Sequence, residues 1–212
     1  VLVMSATPIP RTIALALYGD IEVSTIRELP KGRQPIESML MYEYDRERVY
    51  AAARRRIRER GEQVFIVYPL RTKSASVEAE AAEKAFETLQ AGAFSDMRLA
   101  LIHGKMSSAE KQEIMQRFRD KEFDVLVATT VIEVGVDVPN ATVMIIEGAE
   151  RFGIAQLHQL RGRVGRGTAR SACVLIASNK LSGDPQYLAG LETSDQLEPV
   201  SYTHLTLPTI YS

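Results

Sequence analysis

Two periods of hydrophobic and polar positions run along this chain. Short unbroken apolar runs point to buried strands, and apolar residues three or four apart point to helices. Val1-Leu2-Val3-Met4 is the first strand-like run. Ser5-Ala6-Thr7-Pro8-Ile9-Pro10 ends it, because two prolines this close fit neither a strand ladder nor a helix interior. Thr12–Tyr18 has helical spacing and stops at Gly19-Asp20, and Ile21–Leu29 is a second extended piece. Pro30-Lys31-Gly32-Arg33-Gln34-Pro35 has the composition of a linker, so a domain boundary falls there.

From Ile36 onward strands and helices alternate. Strands are expected over Glu37–Tyr42, Gln63–Leu70, Met97–Ile102, Val125–Thr129, Ala141–Glu147 and Ser171–Ala177. A helix is expected over Asp45–Arg60, with Val49, Ala52, Ala53 and Ile57 on one side and Gly61 as its stop. A second helix spans Ser76–Gln90, with Ala79, Ala82, Phe86 and Leu89 facing inward. A third spans Ser107–Arg119 and opens with a Ser cap and a Glu behind it, and a fourth spans Gly153–Arg161. This alternation predicts an α/β fold, a parallel sheet with helices on both faces. Ligands of such sheets bind at the carboxyl ends of strands, so the residues just after strands are the ones to inspect.

Composition narrows the class. Hydrophobic residues at 45% and charged residues at 25% exclude a disordered chain. The single Cys173 excludes an internal disulfide framework and a cysteine-based zinc site, which points to a cytosolic protein. No run of about 18 apolar residues exists to span a membrane. Lys+Arg total 26 against 27 for Asp+Glu, so any grip on nucleic acid must be local rather than a bulk charge effect. Because the sequence opens inside an apolar run, it is expected to be part of a larger protein.

Four places carry candidate chemistry. Ser5-Ala6-Thr7 puts two small hydroxyl residues after a strand, either to hydrogen-bond neighbouring groups in a tight space or as a capped turn. His103-Gly104-Lys105 follows a strand. Glycine lets a ligand approach the backbone closely and lysine adds charge, although a lone His there is more often structural. Thr129-Thr130 ends another strand and is followed by Gly135 and Asp137. The hydroxyls suit a phosphate backbone and the carboxylate suits a ribose hydroxyl, unless Asp137 merely forms an Asx turn. Last comes Gln159-Leu160-Arg161-Gly162-Arg163-Val164-Gly165-Arg166-Gly167. Arginine recognises phosphate bidentately and stays charged when desolvated, and a solvated basic loop is the plain alternative. The chain contains no complete Gly-x-x-x-x-Gly-Lys-Ser/Thr phosphate loop and no acidic magnesium box, so it holds at most half of an ATPase site.

In this order the four places resemble motifs III to VI of the superfamily 2 helicases, and the last two motifs are specific together. Ser5 to Thr12 and Phe152 to Arg166 narrow the resemblance to the group of RecG and the transcription-repair coupling factors. Tyr18-Gly19-Asp20, Glu28-Leu29-Pro30 and Pro139-Asn140-Ala141-Thr142-Val143-Met144 resemble the RecG branch, ATP-dependent DNA helicases that remodel stalled forks and junctions. The match runs from Val1 to about Ala177.

The resemblance implies a two-lobed motor. Residues 1–30 would end the first RecA-like lobe, 31–35 would link the lobes, 36–178 would form the second lobe, and 179–212 a tail. ATP with Mg²⁺ would bind between the lobes, with the phosphate loop, the magnesium ligands and a fork-recognising wedge domain upstream of Val1. Gln159, Arg163 and Arg166 would face the phosphates, with Arg163 or Arg166 as the finger. Gly135 and Asp137 would contact the nucleotide. Ser5, Ala6 and Thr7 would couple hydrolysis to lobe movement, and His103, Gly104, Thr129 and Thr130 would lie toward DNA. The isolated chain would be inactive. The helical hairpin that follows the last strand in the family does not show in Asn179–Glu198. Val200 to Thr209 resembles translated sequencing-adapter text, so residues 200–212 are expected to be foreign or disordered. The related coupling translocase and a non-catalytic nucleic-acid-binding lobe are the competing readings.

Overall fold

Val64-Phe65-Ile66-Val67 contains no polar position because both faces of its strand are covered. Phe65 and Val67 point into one core and Val64 and Ile66 into the other, the period-two alternation of a strand sandwiched between helices. The structure is a computed structural model that describes residues 36–69, 75–129, 138–165, 167 and 169–178. The extended and helical pieces expected before residue 36, the segment 130–137, Arg166 and the tail 179–212 lie outside the described residues.

The elements are β1 (Ile36–Tyr42), α1 (Arg46–Arg60), β2 (Gln63–Tyr68), α2 (Ala75–Ala91), β3 (Leu99–Ile102), α3 (Ser108–Arg119), β4 (Val125–Thr129), β5 (Ala141–Glu147), α4 (Ile154–Arg161) and β6 (Ser171–Ala177). Single 3₁₀ turns at Glu43–Asp45 and Ala149–Arg151 precede α1 and α4. The six strands form one parallel sheet in the order β1-β6-β5-β2-β4-β3. Helices α1 and α2 cover one face through Val49, Tyr50, Ala53, Ile57 and Leu89. Helices α3 and α4 cover the other through Met115, Phe118, Leu157 and Leu160. The expected RecA-like α/β sheet is therefore present.

Small departures have local causes. Ala52 is exposed and Tyr50 is buried in its place. At about 100° per residue, Tyr50 falls about 20° from the arc spanned by Val49, Ala53 and Ile57, and Ala52 about 60° from it on the other side. Strand β2 stops at Tyr68 because Pro69 has no N–H to donate. Strand β3 begins at Leu99, because Met97 N–H closes a turn onto the Phe94 carbonyl at 3.0 Å. Phe86 is only partly buried.

Polar side chains pin the ends of the elements. Ser107 caps α3: its hydroxyl accepts from Glu110 N–H at 3.2 Å, and the Glu110 carboxylate accepts from Ser107 N–H at 2.7 Å. Glu62 is 9% exposed and ties the end of α1 to the start of β5, accepting from Arg56 Nε and from the Thr142 hydroxyl, each at 2.6 Å. Phe118 is fully buried, with its ring edge-on to Phe65 at 5.1 Å between centroids. Two substitutions should separate these contributions in chemical denaturation of the whole chain. Ser107→Ala is expected to cost about 1 kcal/mol, and Phe118→Ala about 3–5 kcal/mol. Equal losses would contradict this division between cap and core.

Candidate nucleotide and nucleic-acid interface

Parallel strands put all their carboxyl ends on one rim of the sheet, and two of the candidate groups meet there. Ile102 pairs with Ala128, so His103 and Thr129 follow side by side at the ends of β3 and β4. Both are buried, at 8% and 4% exposure, yet His103 Nδ1 and the Thr129 hydroxyl have no hydrogen-bond partner among the described residues. Buried polar atoms are rarely left so, and a site that receives a ligand is one reason they are. His103 Nε2 lies 3.7 Å from Glu83 on α2. Gly104 is exposed, and a Cβ there would meet nothing within 4 Å, so its backbone is open to close approach. Lys111 Nζ reaches the Gly104 carbonyl at 3.4 Å, and Lys105 is exposed beside it. The start of α3 follows directly and adds the positive end of a helix dipole. Sequence reasoning missed Lys111. Its i, i+4 position after the Ser107 cap, one turn above the loop, was the available signal.

A cavity of about 320 Å³ opens beside this rim between α2 and the ends of β2 and β4, lined by Tyr68, Pro69, Glu78, Ala82, Ala85 and Thr129. Its buried Glu78 Oε1 lacks a partner too. That carboxylate favours hydrogen-bond donors and repels phosphate, so phosphate contacts on this rim belong on the Gly104 side.

The glutamine–arginine stretch does not join this cluster. Helix α4 starts after the carboxyl end of β5 and runs back toward the amino-terminal rim, so the expectation that every candidate follows a strand end fails here. Gly165 packs against Ile36 and Ser171, which begin β1 and β6, and Gly167 packs against Pro139 just before β5. Gln159 is exposed and Arg163 half-buried. Four residues apart, they share one side of the chain as α4 ends. Neither makes an ion pair among the described residues. Arg161, by contrast, donates to the Ser38 hydroxyl at 3.5 Å. The polar groups of this stretch therefore divide: Arg161 turns to β1, while Gln159 and Arg163 remain available to a ligand. Arg166, Thr130, Gly135, Asp137, Ser5, Ala6 and Thr7 lie outside the described residues. Among the described residues no three His, Cys, Asp or Glu side chains stand close enough to hold a metal ion.

The glycines of this stretch answer to packing. Gly165 has φ +74°, and a Cβ there would stand 2.8 Å from Ile36 Cγ1. A Cβ on Gly167 would meet the Pro139 carbonyl oxygen at 2.8 Å. These close approaches hold the arginine loop against the sheet rim. Gly165→Ala should therefore lower stability by about 1–2 kcal/mol through the left-handed backbone alone. A thermal melt unchanged from the parent chain would contradict this.

His158 neighbours Gln159, and burial, helped by the nearby Arg161 charge, holds its pKa below the ordinary histidine value. The folded state thus resists protonating a group that the unfolded chain protonates near pH 6.5. Stability should be constant above that pH and fall as pH drops from about 6.5 toward the depressed folded value. In His158→Gln this part of the acid slope should vanish. Denaturation midpoints from pH 7.5 to 5 would measure it, and equal slopes for the two chains would refute it.

With the geometry in place, comparison with known proteins gives a consistent picture. Residues 48–168 match the helicase conserved C-terminal domain model. The ATP-dependent DNA helicase RecG of Synechocystis is 49% identical over 92% of this chain and 23% of its own length. RecG of Thermotoga maritima is 49% identical over 84% of this chain and 23% of its own length. A structure of RecG bound to a three-way DNA junction shares 43% identity with a TM-score of 0.74, covering 91% of this chain and 25% of the other. The second domain of the DEAD-box helicase Mss116p, solved on an RNA duplex, shares the fold alone at 20% identity and a TM-score of 0.50, over 67% of this chain and 54% of that one. The chain spans about a quarter of the length of the curated relatives it matches. From the domain match, the six-stranded parallel sheet and the identity to several bacterial helicases, the chain belongs to the helicase conserved C-terminal domain family, on its RecG branch.

Proposed function

We propose that this chain is the second motor lobe of an ATP-dependent double-stranded DNA translocase that remodels stalled forks and recombination junctions in the bacterial cytoplasm, at the nucleoid. The observation that carries the reading is the pair Gln159 and Arg163. Gln159 is exposed on the helix that ends at the amino rim, and Arg163, two residues past its end, makes no ion pair among the described residues, in a chain 49% identical to RecG relatives. Residues 36–178 form the lobe, 31–35 the linker, and 1–30 the end of a first lobe. ATP binds between the lobes. Gln159, Arg163 and Arg166 hold its phosphates, Gly135 and Asp137 its sugar side, and bound ATP supplies the phosphoryl bond whose cleavage drives the motor. The magnesium ligands are assigned in this reading to the first lobe, upstream of this chain.

On the carboxyl rim, Gly104 and the Lys105–Lys111 charge meet the DNA backbone, with Thr129, Thr130 and His103 beside them. Such contacts place a duplex without reading its sequence. Glu78 repels phosphate, which leaves the Gly104 side as the backbone track. Ser5, Ala6 and Thr7 couple hydrolysis to lobe movement. DNA at one rim and ATP at the other would both bias the position of this lobe, which is what a translocation cycle requires.

The test is a chimera in which residues 1–178 of this chain replace the matching segment of the Synechocystis relative. The isolated chain should hydrolyse no ATP, and the chimera should hydrolyse it with stimulation by branched DNA. Arg166→Ala in the chimera should lower turnover by about 10³-fold or more, as loss of a finger on the transferring phosphoryl does, with ATP binding nearly intact. Turnover by the isolated chain, or full turnover in Arg166→Ala, would sink the proposal. A chimera that binds DNA without hydrolysing ATP would favour a non-catalytic nucleic-acid-binding lobe.

A further inference from the structure

The carboxyl rim holds a second cluster, built by side chains outside the motif residues. Glu147 ends β5 and is 3% exposed. Tyr50 Oη donates to its Oε1 at 2.6 Å, and Arg46 donates to the same carboxylate through Nη2 at 3.0 Å and Nε at 3.2 Å. Both donors come from α1. Tyr68 stands beside Glu147 at the end of the neighbouring strand, since Val67 pairs with Ile146 one residue earlier. Burial raises Tyr50 far above the ordinary phenol range and pushes Tyr68 up to about 12. Burial pulls the Arg46 guanidinium down, but the hydrogen bond and charge of Glu147 outweigh it and leave it raised. The phenols of Tyr68 and Tyr50 in this relay therefore stay protonated.

The two ends of this relay touch the two halves of the proposed machine. Tyr68 stands directly opposite Thr129 in the β2–β4 register. Glu147 continues through Gly148, which packs beside Pro69, into the 3₁₀ turn Ala149–Arg151 and then α4, the helix that carries Gln159. Glu150 holds the same turn from the other side, accepting from Ser178 N–H at 3.2 Å. A buried ion pair of this kind seldom stabilises a protein more than apolar packing of equal volume would. Its geometry, one tyrosine hydroxyl and a two-nitrogen arginine grip on one carboxylate, fixes direction instead.

We propose that Glu147 is a positioning residue that couples the DNA-facing rim at Thr129 to the placement of α4, and so to Gln159 and Arg163. The inference rests on the proposed function above and names residues that function does not use.

The experiment uses the same chimera with Glu147→Gln, Tyr50→Phe and the double variant. Basal and DNA-stimulated ATPase are measured together with melting temperature. Glu147→Gln keeps the shape and removes the charge, and Tyr50→Phe removes one hydroxyl from the relay. Both should leave basal turnover near the parent value and cut the stimulation by DNA by about tenfold, the size of an ordinary coupling between sites. The double variant should lose no more than Glu147→Gln alone, because both act through one relay. Basal and stimulated rates that fall in proportion, together with the melting temperature, would make the cluster a structural clamp and overturn the proposal. Unchanged stimulation in a well-folded variant would overturn it as well. If Glu147→Gln fails to fold, Tyr50→Phe decides by the same criteria. A parent chimera without any DNA-stimulated ATPase instead defeats the functional reading, and this inference with it.

Discussion

Burial of one parallel sheet on both faces is the constraint from which the rest of this structure follows. Helices α1 and α2 on one side and α3 and α4 on the other leave the inner strands no free face, while the edge strand β1 stays partly exposed. Chemistry is confined to the two rims. Because the strands are parallel, the rims differ in kind: one collects strand ends, the other strand beginnings. A protein that must answer to two ligands then needs an element running from one rim to the other. Helix α4 has eight residues, a span of about 12 Å. It leaves the carboxyl rim behind the Glu147 cluster and delivers its last turn and the arginine loop beside the beginnings of β1, β5 and β6.

At the amino rim the arginine loop is held by close packing and not by a network of ion pairs. Gly165 and Gly167 bring the backbone against Ile36 and the Pro139 carbonyl, closer than any side chain would permit. This leaves Arg163 without an internal acidic partner among the described residues. A loop tethered by carboxylates would have neutralised the cations it exists to present. At the carboxyl rim the opposite solution holds, because Glu147 is buried and takes Arg46 and Tyr50 together. One rim keeps its cation free, and the other spends one to fix a turn.

Much of this was legible in the sequence because the physics was local. Unbroken apolar runs such as Val125–Thr129 and Ala141–Glu147 gave strand bounds that the structure repeats, and the Ser107–Glu110 pair announced the start of α3. That His103 and Thr129 both end strands followed from the apolar runs before them, whereas their neighbouring positions depend on the strand order. What escaped was tertiary. No periodicity reveals that Arg46 and Tyr50 reach Glu147 across about a hundred residues, since the contact depends on how α1 lies over the sheet. The position of the arginine loop on the far rim escaped too, because a rule about strand ends does not cover the end of a helix. Ala52 was misplaced for a narrower reason: an aromatic with a polar tip, Tyr50, was not counted among the inward residues.

Charge shows most clearly why composition could not locate the site. Helix α1 carries arginine at 46, 48, 54, 55, 56, 58 and 60, the densest cationic segment of the chain. Counting residues would have placed a nucleic-acid surface there. Yet Arg46 pairs with Glu147, Arg48 with Asp45, Arg56 with Glu62, and Arg58 with Asp96. Arg54 is spent on the Ala93 carbonyl. A cation already facing a carboxylate releases little on meeting a phosphate, because the new contact must first displace the old one. Arg55 is the exposed α1 arginine that makes no ion pair among the described residues, and at the rims such cations include Arg163 on one, Lys105 and the Lys111 ammonium over Gly104 on the other. A chain with a formal net charge of −1 is thus compatible with two anionic ligands, since affinity follows the unpaired cations at the rims and not the total.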